Sequence, residues 1–443
     1  MSPVPGPESQ RWFDAEARFL APGTQSVALH SRLCLDRGQG ARLYDVDGKR
    51  YIDLMAGVGV ASIGYAHPRY VAALSEQLGR VHVGSFTTRN RAELVRLIAE
   101  LAPGDLNRTQ FYSSGAEAVE AALRLARART GHFEVLGFWG GFHGKTGGVL
   151  PLLGSDFKHG LGPLQPGTYS APYADCARCA FDKRFPECNF HCVDFLSRKV
   201  ALETTNRVAA ILVEPIQGTA GNVIPPPGFL LELRRLADEL GALLICDEML
   251  TGFGRTGRLF AIEHEDVLPD VLLVGKGFGG GMPMSGLIIR EEIAFAEPWA
   301  LPSGSSSSYG GNPLAAAAAR TAIEIILEEG LVENSRRVGE AMLAEMRSWE
   351  QELSIVRGVR GRGLMLGMDL VDPATGRLLD KKLTRWIFET LLERGVIAMI
   401  YAPTVRINPP LVITEAEALE ALATMKEVLI EAADRVYAGA KAG

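Results

Sequence analysis

The stretch ALLICDEMLTGFGRTGRLFAIEHEDVLPDVLLVGK, residues 242–276, decides the fold class. It contains two short runs, ALLIC and VLLV, that are apolar at every position rather than at every second one. Such runs suit strands buried on both faces, as in a parallel sheet covered by helices on both sides. The same pattern continues outward. FEVLGF (133–138) and VAAILVEP (208–215) precede it, SGLIIR (285–290) follows, and the amphipathic segments EAVEAALRLARAR (117–129) and FLLELRRLADELG (229–241) lie between. Buried strands alternating with helices predict an α/β fold, a mostly parallel sheet flanked by helices.

The ends of the chain follow other patterns. Residues 3–40 show little periodicity and are expected to form an N-terminal arm. ARLYDVDGKRYIDLM (41–55) predicts a hairpin, two β-rich runs around Asp47-Gly48. RYVAALSEQL (69–78) and RAELVRLIAELAPG (91–104) are helical, the second closed by Pro103-Gly104. Beyond residue 330, strand-like GRGLMLGMDLV and APTVRINPPLVI alternate with long helices. At 443 residues, one core is not enough. The expected division is an arm and hairpin over 1–66, a large domain over 67–330 and a smaller α+β domain over 331–443, with 1–66 joining the smaller one.

Composition excludes several classes. A hydrophobic content of 47% with 22% charged residues is that of a globular protein. The formal net charge of −6, without a basic run, gives no footprint for nucleic acid. No apolar stretch reaches the roughly 20 residues of a membrane helix, and the start has no basic segment leading into an apolar one. A cytoplasmic enzyme is the resulting expectation. Four of six cysteines cluster as Cys176, Cys179, Cys188 and Cys192. Close cysteine pairs can hold zinc or an iron–sulfur cluster, but the C-x3-C spacing of the second pair matches no standard zinc pattern. A reduced, cysteine-rich surface insertion is the plainer reading, and no metal ligand is assigned.

Three strand ends carry candidate chemistry. In FYSSGAEAVEAALRLAR, the small turn Ser113-Ser114-Gly115-Ala116 runs straight into a helix. Unpaired N–H groups and the dipole there favour a phosphate, although simple capping by Ser114 would use the same residues. Asp247 ends an apolar strand, at the edge where open α/β sheets bind ligands. A carboxylate there can keep a cationic ring nitrogen protonated, or serve only as a cap or ion-pair partner. Lys276 ends the next strand and leads into the glycine-rich loop GFGGG. Partly desolvated, it could act as nucleophile and base; left in water, it is an ordinary strand-end lysine.

Together and in this order, these motifs make the chain resemble the class III aminotransferases, of the ω-amino acid:pyruvate and ornithine type, which depend on pyridoxal 5'-phosphate (PLP). The resemblance spans nearly the whole chain, from RLYDVDGKRYIDLMAGVGVASIGYAHP through SSGAEAVEAALRLAR, GGFHGKT, VEPIQG, DEMLTGFGRTG, GKGFGGGMP and SYGGNPLAAAA to VRINPPLVIT. It implies the PLP-dependent transferase fold type I. By the same resemblance Lys276 forms the Schiff base and shuttles the proton, while Asp247 pairs with the pyridinium nitrogen. Ser114, Gly115 and Ala116 would hold the phosphate, Phe142 would stack on the ring with His143 beside it, and Glu214 would lie near the ring hydroxyl. Ser308 stands where the family usually has Thr and would reach the phosphate of a neighbouring subunit, implying a homodimer with shared sites. Arg406 would grip a substrate carboxylate. The implied reaction moves an amino group from an amine or ω-amino acid to a 2-oxo acid such as pyruvate or 2-oxoglutarate, by a ping-pong mechanism.

Two positions depart from the pattern. Many relatives read DEVQ, with Gln bonding the ring hydroxyl; here Leu250 stands there and cannot donate. Ornithine-type members follow PIQG with a Glu that gates the arginine; here the residue is Thr219. Either Arg406 then stays available to carboxylates, or another acid replaces the gate. Both changes count against a plain ornithine assignment. The same motifs would also serve decarboxylation-coupled transfer, racemisation or an amino shift, since these differ only in which bond stands perpendicular to the ring. A non-catalytic cofactor-binding regulator is the third reading, and the chain shows no basic DNA-binding module to support it.

Overall fold

In the computed structural model, residues 4–154 and 156–442 are described, with side chains as far as residue 437. The chain divides into two compact units: one runs from Arg69 to Glu329, and the other joins the chain up to Pro68 with the chain from Gly330 onward.

The larger unit is built on a seven-stranded sheet. In spatial order its strands are Leu106–Tyr112, Ser285–Arg290, Val271–Val274, Leu243–Asp247, Val208–Val213, Glu134–Phe138 and Thr168–Ala171. All neighbours pair in parallel except Ser285–Arg290, which runs against both Leu106–Tyr112 and Val271–Val274. The apolar runs explain the arrangement: every residue of Glu134–Phe138, Val208–Val213, Leu243–Asp247 and Val271–Val274 is buried. Register then sets one working edge. Ser285 lies opposite Tyr112, Gly286 opposite Val274, Asp247 opposite Leu273, and Val213 opposite Cys246. The loops after Tyr112, Phe138, Val213, Asp247 and Val274 therefore leave the sheet along the same side, as carboxyl ends of parallel strands must.

Two of these strands, Leu106–Tyr112 and Thr168–Ala171, escape a search for continuous apolar runs. The first reads LNRTQFY and the second TYSA, because each lies at a sheet edge with polar positions partly exposed.

The second unit carries two sheets. The hairpin Arg42–Asp45 and Arg50–Asp53 has Leu43 opposite Tyr51, with Leu35–Gln39 added on one side and Val396–Ile397 on the other. The N-terminal segment is more ordered than its weak periodicity suggests: it forms helices Pro7–Ala17 and Ser26–Ser31 before that strand. GRGLMLGMDLV is not one strand. It supplies the end of Val356–Arg362 and all of Met365–Leu370, antiparallel partners joined at Gly363, with Thr404–Ile407 completing the sheet. Helices Leu331–Glu352, Lys381–Glu393 and Glu415–Ala442 cover this unit. Among the described residues no helix is long and apolar enough to cross a membrane.

Candidate active site

The helix Gly115–Thr130 begins where strand Leu106–Tyr112 ends, and its cap is a full capping box. Glu117 accepts from the N–H groups of Ser113 at 3.0 Å and Ser114 at 2.9 Å, and Ser114 Oγ accepts from Glu117 N at 3.3 Å. The N–H groups of Gly115 and Ala116 take no part in this box. Capping and anion binding are thus compatible: the box fixes the turn, and the next two donors remain where a phosphate would meet the positive end of the helix dipole.

Asp247 is buried at the carboxyl end of its strand. Its Oδ1 accepts from Met249 N at 3.0 Å, and its Oδ2 lies 2.7 Å from Nδ1 of the equally buried His143. Burial opposes charge on the imidazole, but the hydrogen bond and charge of Asp247 outweigh it. The His143 pKa is therefore raised, with Glu214 adding to the effect and Lys276 subtracting. A histidine behind the carboxylate fixes its orientation and shares its charge, as a supporting partner to a ligating group does.

Glu214 sits just beyond strand Val208–Val213 and ties two motifs together. Its Oε1 accepts from Phe142 N at 2.9 Å and its Oε2 from Gly218 N at 3.0 Å. Burial raises its pKa, with the His143 charge opposing and the Asp247 charge reinforcing the shift. Tyr173, fully packed beneath, donates to the carbonyls of Glu214 and Pro215, both at 3.0 Å. The half-buried Phe142 ring meets Phe157 edge-on at 5.8 Å. Gly144, at φ +115°, lets this loop lie against the helix start: a Cβ there would fall 2.5 Å from the Cβ of Ala116.

Lys276 follows strand Val271–Val274 with φ +47°, a left-handed conformation uncommon outside glycine. The turn it begins is held from below. Phe278 is buried between Phe111 and Phe253, stacked at 6.3 and 5.1 Å, and Tyr70 donates to the Gly279 carbonyl at 2.7 Å.

The structure thus gathers Ser114, Gly115, Ala116, Phe142, His143, Glu214, Asp247 and Lys276 along one sheet edge of the larger unit. It does not place Ser308 among them. Ser308 is exposed and lines a separate cleft with Thr87, Arg91 and Gln110. Arg406 belongs to the other unit, half-buried on strand Thr404–Ile407 opposite Gly367. Sequence reading missed Tyr173, whose hydrogen bonds to the Glu214 and Pro215 carbonyls join segments about 40 residues apart. Leu250 is used as packing: a Cβ on Gly218 would fall 2.5 Å from its Cδ2. The four clustered cysteines are unpaired and line one small cavity with Phe181, Phe185 and Phe190. Burial raises the thiol of Cys176 and pushes that of Cys192 up to about 11. Among the described residues no group of three or more His, Cys, Asp or Glu side chains is set to hold a metal ion.

This constellation suits PLP. An anion cradle, a buried carboxylate for a protonated ring nitrogen, and a lysine stand on three strand ends of one sheet. The class it defines is confirmed by comparison: the sequence model of the family Aminotransferase class-III matches residues 24–429, and the chain belongs to that family. It is accordingly a PLP-dependent transaminase of fold type I.

Among individual relatives, the chain is 41% identical to the acetylornithine aminotransferase of Methanopyrus kandleri over 395 residues, 88% of this chain and 93% of that one. It superposes with a TM-score of 0.88 on an (S)-enantioselective omega-transaminase from Thermomicrobium roseum, 31% identical, covering 96% of this chain and 98% of that one. An amine transaminase from an uncultivated Pseudomonas species, in its PLP-bound form, gives 0.87 at 30% identity, covering 95% and 99%.

Proposed function

We propose that the enzyme moves an amino group from an amine or ω-amino acid to a 2-oxo acid, in two half-reactions that share one site. The observation that carries this reading is the run from Lys276 to Asp247 to His143 along the sheet edge. It supplies a base on one side and a charge-stabilising carboxylate on the other. PLP, when bound, would supply an electron sink for the charge left as a proton leaves the substrate carbon. Lys276 Nζ would hold the cofactor and would carry that proton. Asp247, oriented by His143, keeps the ring nitrogen protonated. The N–H groups of Gly115 and Ala116, with Ser114, bind the phosphate. Phe142 covers the ring, Glu214 holds the Phe142 loop in place, and Arg406 recognises the carboxylate of acids.

Ser308 has no such role within one chain. It lines a cleft with Ser85 and Thr87, the sequence neighbours of exposed Phe86, and precedes exposed Tyr309; these exposed aromatic side chains favour a homodimer in which it serves the neighbouring site. The unpaired cysteines fit a reducing compartment, and we place the enzyme in the cytoplasm, a placement that cell fractionation tests.

The test of the reaction is a donor panel: acetylornithine, ornithine, lysine, putrescine, γ-aminobutyrate, β-alanine and an aromatic amine, each supplied first without an oxo acid. Stoichiometric conversion of the bound cofactor to its amine form by some donor, reversed by pyruvate or 2-oxoglutarate, is expected. Release of CO2 or loss of chirality without that conversion would refute the reading. Acetylornithine enters the panel because of the Methanopyrus kandleri relative.

A further inference from the structure

Cys176 and Cys179, two residues apart in the cysteine-rich segment, open and close a turn of their own. Asp175 caps a short 3-10 helix, Cys176–Arg178, by accepting from Arg178 N at 3.3 Å and from Arg178 Nε at 2.9 Å. Cys179 ends the turn with φ −59°, a helical value. Such a turn has three residues and rises about 2.0 Å with each, so its first and fourth side chains eclipse, about 6 Å apart at Cα. Disulfides favour Cα separations of about 5.5–6 Å. The turn therefore brings these two sulfurs within bridging reach with little movement of the backbone.

Exposure separates the two roles. Of the six cysteines, all among the described residues, only Cys176 is exposed, while Cys179, Cys188 and Cys192 are half-buried along the small cavity they share. The Cys176 sulfur is partly sheltered where it faces that cavity, which raises its thiol pKa; Cys188, Cys179 and Asp175 add to the shift. Thiolate is thus scarce near neutral pH, and any exchange at Cys176 quickens as pH rises. Cys192 is the poorer nucleophile, being fixed in helix His191–Glu203 with its thiol raised further still.

We propose that Cys176 and Cys179 form a thiol-exchange site, a dithiol that reduces low-molecular-weight disulfides such as oxidised glutathione and becomes an intrachain disulfide. In the first step the Cys176 thiol gives up its proton and its sulfur attacks one sulfur of the oxidant. The oxidant's S–S bond breaks, and one glutathione leaves as a thiolate that takes up a proton. In the second step the Cys179 sulfur, deprotonated in turn, attacks the Cys176 sulfur of the mixed disulfide, and the second glutathione leaves and is protonated. The protein loses two electrons and two protons, and the oxidant gains both. A transient disulfide of this kind is compatible with a reducing compartment, where such bonds serve in exchange or redox sensing. The turn follows the edge strand Thr168–Ala171 and contributes none of the residues assigned to the cofactor, so the proposal does not depend on the reaction assigned above.

The test uses full-length holoenzyme, analysed for zinc and iron as purified, then fully reduced and exposed to oxidised glutathione. Trypsin cuts after Arg178 and so parts the two cysteines; a bond between Cys176 and Cys179 holds the two peptides together, and mass spectrometry of the alkylated digest reads that link. Two of the six thiols should be lost to this one bond, dithiothreitol should restore them, and the rate should still be rising at pH 9. Cys176→Ser should slow the loss of thiols at least about tenfold, and Cys179→Ser should stop at a single glutathione carried on Cys176. Cys188→Ser and Cys192→Ser should change the rate by less than about twofold. A link through Cys188 or Cys192, six thiols left free, or stoichiometric zinc or iron that shields the thiols until it is chelated would each overturn the proposal.

Discussion

Glu248, the neighbour of Asp247, should give the folded protein a pH-dependent stability that Glu248→Gln removes. The side chain is buried, accepts from Thr251 Oγ1 at 2.5 Å and from Ile262 N at 2.9 Å, and so pins the loop after Asp247 to the short helix Ala261–His264. Burial raises its pKa from 4.5 to about 7, the hydrogen bonds opposing but not cancelling that shift. A folded-state value above the unfolded one means that the contribution is fully present below about pH 4.5 and lost as pH rises through about 7. A gap of that size corresponds to ~3 kcal/mol. At the unfolding entropy typical of a chain or unit of this size, that is about 3–6 °C in melting temperature. Calorimetry of wild type and variant from pH 4.5 to 8 should show the wild type falling by that amount relative to Glu248→Gln. Parallel curves would refute the reasoning, because they would mean that Glu248 is as easily ionised in the folded chain as in the unfolded one.

Lys276→Ala should lose the visible band of bound cofactor and at least about a thousandfold in turnover, with circular dichroism unchanged; residual activity within tenfold would contradict its assigned role. Arg406→Ala should raise KM for a 2-oxo acid acceptor about 30- to 100-fold, the worth of a bidentate charged pair, while leaving simple amine donors nearly untouched; equal losses for both would make it structural. The protein should sediment as a dimer, and Phe86→Asp should shift it toward monomer with loss of PLP retention; a monomeric, fully active wild type would remove Ser308 from the site.

The larger unit was legible because its central strands are buried on both faces. ALLIC and VLLV have no polar position to confuse the pattern, and the residues that end them, Asp247 and Lys276, stand out by contrast. Edge strands gave no such contrast, which is why Leu106–Tyr112 and Thr168–Ala171 were not predicted. The helix Pro7–Ala17 escaped for a related reason: it buries only Ser9 and so carries no apolar stripe to recognise. Within the site, residues with charge or a glycine turn left a signature. His143 and Glu214 came through the family motifs, but the hydrogen bonds that join them to Asp247 and Phe142 span 104 and 72 residues and have no local trace. Tyr173 looks like any other core residue in the sequence, and only its hydrogen bond shows that it lies under Glu214.

The left-handed turn at Lys276 sets stability against chemistry at a single residue. A side chain held at φ +47° costs the fold on the order of 1 kcal/mol that glycine would not. Selection for a more robust polypeptide would therefore favour glycine here, while the role proposed for Lys276 forbids it. Efforts to harden this enzyme by replacing strained residues must leave this one alone and find their gain elsewhere. The same reasoning makes the strain informative in reverse: a lysine standing where the backbone favours glycine supports the role proposed for its amine.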